Sequence, residues 1–192
     1  MKTRQSLISL LRRSFMATLR IADYIVGPTE EFFFDTNVWI FLFTPIAGSK
    51  LYKQKMYSRL LKDIRSRNAC LWINSLVIAE YVNAVLRLEF KQWSERNQRI
   101  GVDFKRDFRP TSDYQAALTD IKDQVTAILG ICQRRPDDFN ALNIEGIIAS
   151  MGNKLDFGDS MIVDMCQRYN LKLVTDDKDI IDSEHPFSVI TA

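Results

Sequence analysis

Three phenylalanines run without interruption into a carboxylate, a hydroxyl and an amide: Phe32-Phe33-Phe34-Asp35-Thr36-Asn37. A continuous apolar run lacks the in-out alternation of a half-solvated strand. It reads as a strand buried on both faces, the pattern of a parallel sheet covered by helices. Such a strand delivers its polar residue at its end. Ligands of open α/β sheets bind outside the carboxyl ends of the strands, which makes Asp35 the first candidate for a site.

The rest of the chain repeats the alternation. Cys70-Leu71-Trp72-Ile73 predicts a second strand, Leu171 to Thr175 a third, and Val189-Ile190 a short last one. Between them lie helical periods: Val38 to Phe43, capped by Asn37 and ending near Pro45, then Ser49 to Arg67, then Leu76 to about Phe90 behind Ser75 as N-cap. Residues 91 to 110 read as a charged helix end and a loop. Ser112 with Gln115 suggests a capping box for a helix through Ile128. Arg134 to Asp138 reads as a polar turn, Ile144 to Met151 as a short helix, and Asp156 opens a helix through Tyr169. Strands alternating with helices imply an α/β chain whose mainly parallel sheet has helices on both faces.

Length and composition narrow what such a chain can do. The 192 residues suffice for one domain with a sizeable core. Residues 1 to 22 hold Lys2, Arg4, Arg12, Arg13 and Arg20 and no acid, so the remainder carries 21 bases against 24 acids. The body is not a basic glove for nucleic acid; polyanion contacts would come from local patches, metal ions or the N-terminal arm. Leu7, Ile8, Leu11, Phe15, Leu19 and Ala22 recur at helical spacing within that arm, predicting a basic amphipathic docking helix. The arm also has the composition of an organelle transit peptide, and translation from Met16 would remove most of it. Its apolar runs are too short for a membrane span or a secretory signal. Cys70, Cys132 and Cys166 are widely spaced, which suits reduced thiols. The single histidine, His185, excludes H-E-x-x-H zinc chemistry and leaves a Ser-His-Asp triad dependent on one residue near the tail. Any catalysis would then fall to carboxylates.

The order of elements puts several carboxylates at one sheet edge. Asp35 and the Asp176, Asp177, Asp179 cluster follow strands, while Glu80 and Asp159 lie in the first turns of helices. Strand C-termini and the N-termini of the helices that follow share that edge. Acids gathered there repel one another unless a cation neutralises them, and an all-oxygen set suits Mg²⁺ or Mn²⁺. Such an ion activates water and stabilises charge on a phosphodiester without histidine. Each acid also has an ordinary structural role open to it: Asp35 as a turn or cap residue, Glu80 on a solvated helix face with Asn83 and Arg87, Asp156 as N-cap with Asp159 in its first turn, and at least two of the three terminal aspartates as turn residues.

The same pieces resemble the PIN-domain nucleases, particularly the toxin ribonucleases of type II toxin–antitoxin modules. Phe33-Phe34-Asp35-Thr36-Asn37 is similar to that family's opening strand, Ser75 to Glu80 to its second motif, and Asp156-Phe157-Gly158-Asp159-Ser160 with Leu173-Val174-Thr175-Asp176-Asp177 to its third acid and closing Thr-x-Asp. The resemblance spans about Phe32 to Asp179. It implies a three-layer α/β/α sandwich over residues 31–192, behind a basic arm over residues 1–30. It also implies a cytoplasmic endoribonuclease dependent on Mg²⁺ or Mn²⁺, with RNA as substrate, an antitoxin protein as partner, a homodimeric state and no membrane. Asp35, Glu80, Asp159 and Asp177 would be its catalytic metal carboxylates. Thr36, Asn37, Asp156 and Thr175 would orient them or the substrate, and Arg87, Lys154 and Lys178 would contact phosphate. A haloacid-dehalogenase phosphatase also starts from an acid at a strand end, but it needs a second acid where this chain has Asn37. A PIN-like scaffold that binds RNA or protein without cutting is the non-enzymatic alternative. The stretch between Glu80 and Asp159 is longer than in the compact toxins.

Overall fold

The computed structural model describes residues 18–44, 51–151, 155–183 and 185–192. Its centre is one sheet of six parallel strands: β1 (Thr18–Arg20), β2 (Glu31–Phe34), β3 (Cys70–Ile73), β4 (Gln133–Arg134), β5 (Lys172–Val174) and β6 (Val189–Thr191), in the spatial order β1-β6-β5-β2-β3-β4. The described helices are α1 (Thr36–Phe43), α2 (Leu51–Ser66), α3 (Ser75–Arg96), α4 (Ser112–Ile131), α5 (Ile144–Ser150), α6 (Phe157–Tyr169) and α7 (Lys178–Ile181).

Phe32, Phe33 and Phe34 are each fully buried. Successive strand residues point to opposite faces, so three buried in a row require cover on both. This is the α/β/α layering expected of the run. Phe33 pairs with Trp72 of β3 on one side and with Leu173 of β5 on the other, which makes β2 a central strand. From β2 the chain moves outward to β3 and β4, then returns across β2 to β5 and β6. The order therefore reverses beside the carboxyl end of β2, the position at which open α/β sheets form a crevice.

Several local expectations are corrected. The predicted N-terminal helix lies mostly outside the described residues, but its last part does not form one: Thr18–Arg20 is an edge strand parallel to β6, and Ile21–Asp23 is a short 3-10 turn. Arg20 thus sits on a strand, where pairing to Val189–Thr191 satisfies the backbone that a helix would have satisfied internally. The polar stretch after α4 contains the two-residue strand β4, held by register with Trp72 and Ile73 rather than by any apolar pattern of its own.

Residues 97–111 are more ordered than a loop. Phe104–Phe108 forms a π-helical turn, and Phe108 packs among Phe90, Trp93, Phe104 and Tyr114 with ring centroids 5.3–5.6 Å away. These rings give the far ends of α3 and α4 a small core of their own. At 22 residues α3 is about 33 Å long, well beyond the sheet. All three cysteines are free thiols, with Cys166 fully buried. His185 is likewise a buried residue, beside Ser183 and Phe187.

Candidate active site

Asp35 follows β2 directly and is 5% exposed. It, and not Asn37, caps α1: its Oδ1 accepts from the Thr36 amide at 2.6 Å. The helix begins one residue past the strand, so the first side chain able to reach an unpaired amide is that of Asp35. Asn37 is freed for another task. Its amide nitrogen donates to Asp35 Oδ2 and, at 3.1 Å, to Thr175 Oγ1, while its Oδ1 accepts from the Asp176 amide at 3.0 Å. Thr175, fully buried at the end of β5, donates its hydroxyl to Asp35 Oδ2 at 2.7 Å and accepts from the Asp177 amide at 3.0 Å. The ends of β2 and β5 are thereby locked together through Asp35, Asn37 and Thr175.

Glu80 is brought to the same place by α3. The cap of that helix is Asn74, whose side chain accepts from the Val77 amide, and Ser75 is the first helical residue instead of the cap. Likewise Thr111, not Ser112, caps α4. In both helices the residue just before the predicted cap supplies the side-chain oxygen. The rotation of α3 is fixed by buried Tyr81, whose hydroxyl donates to Gln124 of α4 at 2.6 Å; Gln124 in turn donates to the Phe43 carbonyl at the end of α1 at 3.3 Å. With Tyr81 inward, Glu80 turns toward α1, where Thr36 Oγ1 donates to its Oε2 at 2.8 Å.

Asp156 caps α6 as expected, accepting from the Asp159 amide at 2.8 Å. Asp159 points from the first turn of the helix toward the other acids. Burial first, then the charges of Asp156, Asp35 and Asp177, pushes its carboxyl up to about 7. Burial pushes Asp35 up to about 6; the Thr175 hydroxyl and Thr36 amide oppose this, and the charges of Glu80 and Asp177 add to it. The four carboxylates therefore share one electrostatic neighbourhood. Among the described residues none of the four is in an ion pair.

The three terminal aspartates part company. Asp176 is turned away onto Lys53, whose ammonium lies 2.7 and 2.6 Å from its two oxygens, and it accepts from the Tyr57 hydroxyl at 3.2 Å. Asp177 caps α7 through the Asp179 amide, and its charge is the one felt by Asp35 and Asp159. Asp179 is exposed. Arg87 and Lys178 are exposed as well, and Lys154 lies outside the described residues. Lys53, Tyr57 and Asn74 had no signal in the sequence, since each reads as an ordinary residue of an amphipathic helix or a turn.

The PIN domain family model matches residues 32–184. The chain belongs to the PIN-domain family. The likeness extends to solved folds: VapBC2 from Rickettsia felis, bound to a DNA fragment from their promoter, is similar at 13% identity with a TM-score of 0.52, covering 84% of this chain and 98% of that one. PAE2754 from Pyrobaculum aerophilum aligns at 15% identity and a TM-score of 0.46, over 91% of this chain and 92% of that one. FitAB bound to an IR36 DNA fragment aligns at 14% identity and 0.39, over 83% and 94%. At such identities the likeness concerns the fold. No curated protein matches the sequence.

For this PIN domain the donor chemistry fits a hard divalent ion: oxygen ligands only, two carboxyls raised by burial and mutual repulsion, and, among the described residues, no basic side chain paired with any of the four. Among the described residues no three acidic, histidine or cysteine side chains already stand as a closed ligand set. Rotation of the carboxylates about their side-chain torsions would be part of closing one. No described helix is long and apolar enough to cross a membrane.

Proposed function

We propose that this protein is an endoribonuclease dependent on Mg²⁺ or Mn²⁺, acting as the toxin of a toxin–antitoxin pair. Asp35, Glu80, Asp159 and Asp177 would hold the ion, which when bound supplies an activated water and charge stabilisation for hydrolysis of an RNA phosphodiester. The observation that carries this reading is the coupling of Asp35 with Glu80 and Asp177, and of Asp159 with Asp35 and Asp177, at the switch point of the sheet. Thr175 and Asn37 hold Asp35 by hydrogen bonds to Oδ2, and Thr36 holds Glu80. Asp156 orders the first turn of α6 and so aims Asp159. An antitoxin partner, a homodimer and a cytoplasmic location belong to the same proposal.

The test is cleavage of single-stranded and structured RNA with Mg²⁺ or Mn²⁺, with EDTA, and with Asp35→Asn. Cutting abolished by both EDTA and the substitution is expected; cutting that survives either one rejects the carboxylate mechanism. The alternative is a PIN scaffold that binds without cutting. That reading requires that Mn²⁺ leave the melting temperature unchanged, whereas an ion bound by the native site raises it.

A further inference from the structure

Glycine is disfavoured against alanine inside a helix, so a helical glycine needs a reason. Gly158 stands in the first turn of α6, outside the left-handed region, and so its backbone supplies none. Its surroundings do. A Cβ on Gly158 would lie 2.7 Å from Glu80 Oε1 and 3.4 Å from Asp156 Oδ1. The other oxygen of Glu80 is held by Thr36 at 2.8 Å. One oxygen of the Glu80 carboxylate is thus held by a hydroxyl on α1 while the other lies against the bare backbone of α6. Gly130, inside α4, is the contrast: a Cβ there would meet nothing within 4 Å.

We infer that Gly158 is a positioning residue: the side chain it lacks is the space that the Glu80 carboxylate occupies, and this brings Glu80 against the helix that carries Asp159. The inference rests on the reading of Glu80 and Asp159 as ligands of one ion, and it adds to that reading the residue that sets their separation. A side chain at 158 obliges the Glu80 carboxylate to shift from the seat it now occupies.

The experiment compares Gly158→Ala, Gly130→Ala, Glu80→Asp and the double variant Gly158→Ala/Glu80→Asp by thermal melts with and without Mn²⁺. Without metal, Gly130→Ala raises the melting temperature, as helix propensity requires, and Gly158→Ala does not. In the Glu80→Asp background, where the carboxylate is one methylene shorter, Gly158→Ala does raise it. With Mn²⁺, Gly158→Ala alone weakens binding at least tenfold relative to wild type, and it causes no further loss in the Glu80→Asp background. An alanine at 158 that stabilises the wild-type background as much as one at 130 overturns the inference, and so does an equal loss of Mn²⁺ affinity in both backgrounds. A wild-type protein with no response to Mn²⁺ rejects the metal reading, while the metal-free melts still decide whether Glu80 occupies the glycine's space.

Discussion

Thr36 Oγ1 donates to Glu80 Oε2 at 2.8 Å, joining the first turn of α1 to the second turn of α3 across 44 positions of sequence. Hydrogen bonds to a charged group contribute about 1.5–3 kcal/mol. Thr36→Val keeps the shape and removes the hydroxyl. It is expected to lower RNA cleavage about tenfold to a hundredfold and to weaken Mn²⁺ binding, while Thr36→Ser stays near wild type. Steady-state cleavage assays over a Mn²⁺ titration check this; equal activity of the valine and serine variants would show that the bond is dispensable.

The two raised carboxyls give the metal-free protein a defined response to pH. Asp35 and Asp159 titrate at about 6 and about 7 in the folded chain, above their ordinary value of 3.8. The native state therefore retains protons that the unfolded state has released, and stability falls as pH rises through that interval. Their contribution is fully present below about pH 4 and lost as pH passes through about 6 to 7. Melts in EDTA from pH 4 to pH 8 are expected to show this decline, with a shallower slope for Asp35→Asn. Identical slopes would mean that Asp35 titrates normally.

Asp176 and Asp177 are adjacent but face different partners, which separates their expected phenotypes. Asp176 is neutralised by Lys53 at 2.6 Å, with Lys53 itself 38% exposed. Asp176→Asn is expected to cost about 1 kcal/mol or less in stability and to leave metal-dependent cleavage within about threefold. Asp177→Asn is expected to reduce cleavage at least a hundredfold with little change in stability, since an Asn side chain caps α7 as well as an Asp. Reversal of the two activity losses would move the fourth acid to Asp176.

Phe108 is the centre of the aromatic cluster that joins the far ends of α3 and α4. Phe108→Ala removes a fully buried ring and is expected to destabilise by about 3–5 kcal/mol if that tip unfolds together with the sheet. Limited proteolysis would report whether residues 97–111 open first. A variant as protease-resistant as wild type, with an unchanged melt, would show that the cluster contributes little.

The chain's own order of residues determined much of this protein. Phe32 to Phe34 demanded a strand covered on both faces, and the alternation of strands and helices demanded a parallel sheet. Those are local requirements, set by apolar runs and caps that short stretches carry by themselves. Helix starts were less legible at single-residue resolution: Asp35, Asn74 and Thr111 cap where Asn37, Ser75 and Ser112 were expected. In each case an Asp, Asn or Thr one or two positions earlier offers an equally good acceptor, and only the backbone geometry chooses. The strand at Thr18–Arg20 and the two-residue β4 exist because neighbouring strands pair with them, and no local pattern encodes a neighbour.

The candidate site divides in the same way. The sequence by itself supplied the acids and, through the strand–helix order, the edge at which Asp35, Glu80, Asp159 and Asp177 could meet. Tertiary structure decided which oxygen faces which donor: Thr175 and Asn37 on Asp35, Thr36 on Glu80, Lys53 on Asp176, and Gly158 as the gap beside Glu80. Those contacts join residues up to 140 positions apart. They depend on helix rotation and strand register, which the packed core sets as a whole and no single stretch of sequence can specify.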